Sequence, residues 1–258
     1  MRRRLGLAIG GDAGICEGCG RQLDAHGHHR AACTRTGRNH ARHRSILAAW
    51  RQVFQEAGGQ VPDRNVERML RNTHVPVRSD DNRRMDLVVP GLAVARGLPL
   101  FCDATCVTVI SGNGMARSGA TTRSGAILAR AHDDNATTYP EVEASGMGRL
   151  CCLGVEVYGR WSADPLELIG RMARSRTEGL PNGVGRTVQA ALSRRWWGLL
   201  GVSVQRAVAQ SVLRTTGADL AGCALEPPPG LADLPVGCPS SGTLSFALAS
   251  DSSGFGGF

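Results

Sequence analysis

The chain has no lysine: all 30 of its Lys+Arg positions are arginine. Arginine grips a phosphate with a planar, permanently charged fork, whereas lysine is the residue whose pKa moves on burial. Schiff-base chemistry and lysine general-base chemistry are therefore excluded. Aromatics are sparse at 4% against 42% hydrophobic residues in 258, so a core must be built largely from aliphatic side chains. No apolar run approaches the ~18–20 residues of a membrane span. The apolar piece of MRRRLGLAIGGD is too short for a signal peptide, and no membrane partner is expected. Nine cysteines are present without the pattern of a disulfide framework. Three cluster with histidines, Cys102, Cys106, Cys151 and Cys152 lie in apolar runs, and Cys223 and Cys238 fall late in the chain. That usage suits a reducing, intracellular compartment.

What is there is positive charge. A net charge of +8 and a pI near 9.4 favour an anionic partner, nucleic acid first. Residues 16–33, CEGCGRQLDAHGHHRAAC, place Cys16 and Cys19 two residues apart, then His29 and Cys33 at i,i+4. Two thiols across a tight turn followed by an imidazole and a thiol on one helix face can surround zinc tetrahedrally. His28 and His26 compete with His29 for the third position. A helix is expected over 38–57, with Ile46, Ala49, Trp50, Val53 and Phe54 as its apolar stripe and Gly58-Gly59 as its stop. Its first turns carry Arg38, Arg42, His43 and Arg44, which either contact phosphates or form a solvated helix start.

RRMDLVVPGLAVARGLPLFCDATCVT (83–108) reads as two short strands, each with one aspartate among hydrophobics: Asp86 and Asp103. Such carboxylates are paired, turn-capping or metal-binding, because an isolated buried charge costs several kcal/mol. A short helix is expected near 65–70, and longer ones over 122–135, 165–176 and 184–213. LCCLGVEVYGRW (150–161) has the continuous apolar character of a central strand buried on both faces. Together these elements predict a mixed α/β core. The composition of 216–258 (PPPG, PSSG, SSGFGGF) is that of a low-complexity tail.

The order CxxC…HxxxC, basic helix, RRxD, PLFCDATCVT, TYPEV, LGVEVYGRWS and RRWWGLLGVSVQRA resembles the C-terminal region of non-LTR retrotransposon proteins, over roughly residues 2–213. There a zinc knuckle precedes a restriction-like nuclease of PD-(D/E)xK type. The resemblance implies a knuckle in 1–40, a restriction-endonuclease-like α/β domain with a mixed sheet in 41–215, and a tail in 216–258. It implies structural Zn²⁺ on Cys16, Cys19, His29 and Cys33, and catalytic Mg²⁺ or Mn²⁺ on Asp86 and Asp103. It also implies nicking of DNA, with RNA as a further partner, in the nucleus. Arg38, Arg42, His43, Arg44, Arg83 and Arg84 are the expected nucleic-acid contacts. Glu141 or Glu156 would supply a third metal ligand, or else each is a surface carboxylate or the partner of an arginine. The family's lysine, a few residues before the position of Tyr139, falls near Asn135, with Arg130 as the available stand-in. An open reading frame starting just ahead of the knuckle, without a polymerase, is expected to be a truncated element-derived one. A non-catalytic nucleic-acid-binding remnant is the alternative.

Overall fold

A computed structural model describes residues 8–9, 14–62 and 67–213. The chain divides into two units, 1–228 and 229–258, and all described residues belong to the first. The expected tail, and residues 1–7 and 10–13 ahead of the knuckle, lie outside the described residues.

Two helices open the fold: α1 (His28–Ala32) and α2 (Arg38–Glu56). α2 starts after Gly37, whose φ of 68° no β-branched or bulky side chain accepts readily, and stops before Gly58 at φ 92°. Its stripe of Ile46, Trp50, Val53 and Phe54 is buried as the 3.6-residue spacing requires. Residues 65 and 66 of the expected short helix near 65–70 lie outside the described residues. The remainder is a two-residue strand, β1 (Arg68–Met69), followed by a 3-10 turn at Leu70–Asn72. β1 pairs antiparallel with β2 (Arg84–Met85).

The main sheet holds β3 (Leu87–Val89), β4 (Leu100–Val107) and β5 (Arg149–Glu156) in the order β3-β4-β5. β3 and β4 are antiparallel, and β4 and β5 parallel, so the sheet is mixed. The expectation of a central β5 is corrected: β4 is central and β5 lies at the edge. β5 is nonetheless buried on both faces, because α3 (Ala126–Thr138) covers one and α5 (Ala163–Ser175) the other. An apolar run reports burial, which helices supply here as well as neighbouring strands would. α3 begins four residues later than expected, after Gly125 in the left-handed region, and ends where Pro140 opens a short α4 (Pro140–Ala144).

Side-chain alternation divides the sheet's two faces. Leu87, Val89, Cys102, Ala104, Leu153 and Val155 face a core completed by α2, α5 and α6 (Asn182–Leu213). Val88 and Phe101 face a second cluster with Leu70, Met85, Tyr139 and Val142. α6 packs along α2 through Trp196, Leu200, Val204 and Val208. Half-buried Glu56 ties the pair, accepting hydrogen bonds from Arg195 at 2.7 and 2.9 Å and from Trp196 Nε1 at 2.9 Å. α1 joins the same core through Ala31, so the knuckle is packed onto the α/β body. Among the described residues, no helix is long and apolar enough to cross a membrane.

Candidate metal centre and carboxylate site

The ligand atoms of Cys16, Cys19, His29 and Cys33 all lie within 4.8 Å of one another. Four donors set tetrahedrally around zinc stand about 3.5–3.8 Å apart. Cys16 Sγ and Cys33 Sγ are 3.7 Å apart, and Cys19 Sγ lies 3.2 Å from His29 Nε2. The turn that brings the thiols together is closed by Gly20 N–H donating to Cys16 O at 2.7 Å. Asp24 fixes the start of α1, accepting backbone N–H bonds from His26, His28 and His29 at 2.7–3.0 Å. These bonds hold its carboxyl below the usual range despite burial, which works the other way. Burial would also raise the Cys16 thiol, but N–H groups of Gly18 and Cys19, with His29 and Cys19 side chains, bring it to about 6.

The three candidate histidines are told apart. His29 Nδ1 donates to Gly112 O at 2.9 Å, which leaves the Nε2 lone pair toward the sulfurs in the neutral ring. His28 turns instead to the Tyr158 hydroxyl at 3.3 Å, and His26 stacks on His28. The cluster can hold a metal ion, and three thiols with one imidazole form a set suited to structural zinc.

The second group of residues sits at the end of β3. Leu87 opens β3 and pairs with Cys102, so Asp86, in the bend just before β3, lies at the same end of the sheet as Asp103. Asp86 Oδ2 accepts hydrogen bonds from Ala104 N–H at 2.7 Å and from His43 Nε2 at 2.9 Å. Asp103 faces α3, where Asn135 lowers its carboxyl and donates from Nδ2 to Cys152 Sγ at 3.1 Å. Burial raises the Asp103 carboxyl, and the charge of Asp86 raises it further, against the pull of Asn135 and His43. The bond to Asp86 raises His43, outweighing burial, with Asp103 and Glu67 adding to it. Tyr139 is pushed up to about 12 by burial and by both aspartates, and its hydroxyl donates to Arg84 O at 2.7 Å.

The expected nucleic-acid contacts divide. Arg44 and Arg84 are exposed, and Arg84 reaches Glu67 only at 3.9 Å. Arg42 is corrected to an internal tie: it is 4% exposed and donates to Ala31 O and Asn39 Oδ1, both at 3.0 Å. Its phase on α2, four residues before Ile46, turns it toward the core. His43, three residues before Ile46, is likewise turned to Asp86. Arg83 is engaged by Asp81 at 2.6 Å and Glu141 at 2.8 Å, and Arg38 by Glu17 at 2.6 Å.

Neither glutamate joins the aspartates. Glu141 is held by Arg83. Glu156 pairs with Val107, four positions along from the Asp103–Cys152 pair, or about 13 Å at strand rise. Arg130 is exposed on α3. Among the described residues, the Cys16–Cys19–His29–Cys33 set is the one group of three or more Cys, His, Asp or Glu with the spacing of a metal site. His43 is the site residue that sequence reading assigned elsewhere. Its i,i+3 relation to Ile46 was the available signal.

The chain matches no protein-family model and no curated protein.

Proposed function

We propose that the chain is a retroelement-derived, metal-dependent DNA endonuclease-like domain with a structural zinc knuckle, acting in the nucleus. The observation that carries this reading is the neighbouring pair Asp86 and Asp103, the charge of one acting on the other. It holds two carboxylates together in a half-buried site although burial and mutual repulsion both oppose it. Such an arrangement suits a divalent cation, Mg²⁺ or Mn²⁺, on Asp86 and Asp103. When bound, that cation supplies charge neutralisation at a phosphoryl group and acidifies water. His43 and the Ala104 N–H fix one oxygen of Asp86. Asn135 orients Asp103 from the position where the resembled family has lysine. A neutral amide contributes no positive charge to a developing transition state, and losing one such contributor costs about 10²–10³ in rate. Nicking by the native chain is therefore slow.

A second reading, a non-catalytic zinc-knuckle nucleic-acid-binding remnant, is favoured by Asn135 and by the lack of a third ligand beside the aspartates among the described residues. Plasmid nicking with Mg²⁺ or Mn²⁺ separates the two. The nuclease reading requires the native chain to nick and Asp103→Ala to abolish it, with Asn135→Lys raising the rate. If native and Asp103→Ala behave alike, the remnant reading stands.

A further inference from the structure

With Arg42 turned inward, Arg38 and Arg83 paired, and His43 held by Asp86, most of the expected phosphate contacts are engaged within the fold. The basic surface lies elsewhere. Between α2 and the β1–β2 pair runs a groove of about 800 Å³, lined by Arg44 and Arg51 on one side and by Arg68 and Arg84 on the other. Glu67 is the one carboxylate in its lining, and Leu47, Ala48 and Met69 form apolar stretches between the charges. Four guanidiniums against one carboxylate leave three net positive charges.

The helix phase explains one wall: residues 44, 48 and 51 recur at i, i+4 and i+7, opposite in phase to the buried 42–46–50 stripe. The β1–β2 pair forms the other wall: its register sets Arg84 beside Met69 on one face, and Arg68, one position away on β1, lines the groove from the strand's edge. The groove adjoins the carboxylate site through both walls. Arg44 follows His43 in α2, and Arg84 stands two residues before Asp86.

We infer that this groove binds the sugar-phosphate backbone of duplex DNA and leads it toward Asp86 and Asp103. Arg51 and Arg68 thereby join Arg44 and Arg84 as its phosphate contacts. The inference rests on the nuclease-like reading for its choice of DNA. The physical basis is the guanidinium fork, which matches two phosphate oxygens, repeated on two facing walls. Such binding is sequence-independent and steeply salt-dependent, because each neutralised phosphate releases counterions.

The test is fluorescence anisotropy of a labelled random-sequence duplex with the zinc-loaded full chain, without added Mg²⁺ or Mn²⁺, so that binding is read apart from cleavage. Four phosphate contacts predict a log–log salt slope near −3.6, a loss of about 10²-fold in affinity from about 50 to 200 mM salt. Arg44→Gln, Arg68→Gln and Arg84→Gln, all at exposed positions, should each flatten the slope by about 1. Their combination should weaken low-salt binding far more than Arg174→Gln, an exposed arginine on α5 outside the groove. Circular dichroism confirms folding of each variant; if the combination does not fold, the single variants decide. Slopes equal to that of Arg174→Gln overturn the groove. Equal or tighter binding of an RNA duplex overturns DNA as its ligand. Groove-dependent binding without any nicking leaves the groove standing and removes the nuclease reading. Nicking with groove-independent binding does the reverse.

Discussion

Replacing Asp103 by asparagine should stabilise the metal-free protein at neutral pH. Asp86 stands just before β3, whose first residue Leu87 pairs with Cys102, so the two aspartates are neighbours and the charge of Asp86 acts on Asp103. Carboxylates on adjoining strand positions stand on the order of 5 Å apart. Two unit charges at that separation repel by about 3 kcal/mol at an effective dielectric constant of about 20. His43, bonded to Asp86, offsets part of this, yet the Asp103 carboxyl remains raised, so repulsion and burial win. A net gain of about 1–2 kcal/mol corresponds to a midpoint about 2–8 °C higher in a domain of this size. Asparagine has the same shape and keeps an oxygen on the Asn135 side, so little is lost in exchange.

The gain should depend on pH in one direction. Above its folded pKa, ionised Asp103 is a penalty that the unfolded chain does not carry. As pH falls through the folded pKa toward the ordinary carboxyl value of about 3.9, native Asp103 takes up its proton and the penalty goes. The advantage of asparagine should thus be full at neutral pH and fade on acidification. Thermal unfolding followed by circular dichroism in Mg²⁺-free buffer measures this. Mg²⁺ at ten times its dissociation constant should then stabilise the native chain by about 1.4 kcal/mol and leave the Asp103→Asn midpoint where it was. A lower midpoint for Asp103→Asn at neutral pH, or a gain that ignores pH, would refute the neighbouring-carboxylate site.

Two further outcomes follow from the same geometry. Cys19→Ser should abolish stoichiometric zinc, read by atomic emission, and destabilise by about 3 kcal/mol or more, a fall of about 6 °C or more. Cys106→Ser, at a half-buried β4 thiol outside the cluster, should retain the metal; zinc-free native protein would sink the assignment. His43→Gln should cost stability most below pH about 6.5, where both unfolded and folded imidazoles are protonated. Since the folded His43 pKa is raised, the native advantage should shrink as pH climbs through it, measured in metal-free buffer by urea midpoints; an advantage that grows with pH contradicts the His43–Asp86 pairing.

Spacing carried much of what could be read in advance. Two cysteines across a turn and a His–Cys pair on one helix face are local relations, and they survive folding as the metal cluster. The α2 stripe and the two aspartate-bearing strands are local in the same sense. What sequence did not give is set over long separations or by phase. The carbonyl that locks His29 belongs to Gly112, 83 residues on, and nothing near His29 announces it. The strand order that makes β4 central depends on a crossover through α3 and α4, whereas the apolar run of β5 speaks only of burial. At Arg42 and His43, charge alone suggests exposure. Their phase relative to Ile46 already turned them inward, and Arg44, one step on, outward.

That phase has a structural consequence. Arg42 and His43 are neighbours on α2, and they act in different directions. Arg42 donates to Ala31 O, in the knuckle helix, while His43 holds Asp86 at the sheet end. One turn of α2 is therefore braced at once against the metal cluster and against the carboxylate pair. Ala31 itself is fully buried in the main core, and α1 also meets α6 through Arg30 and Val212 O at 3.0 Å. A rotation of α2 about its axis would break both ties together. The metal cluster thus does more than hold its own short segment: by fixing α1, it fixes the helix whose next residue positions Asp86.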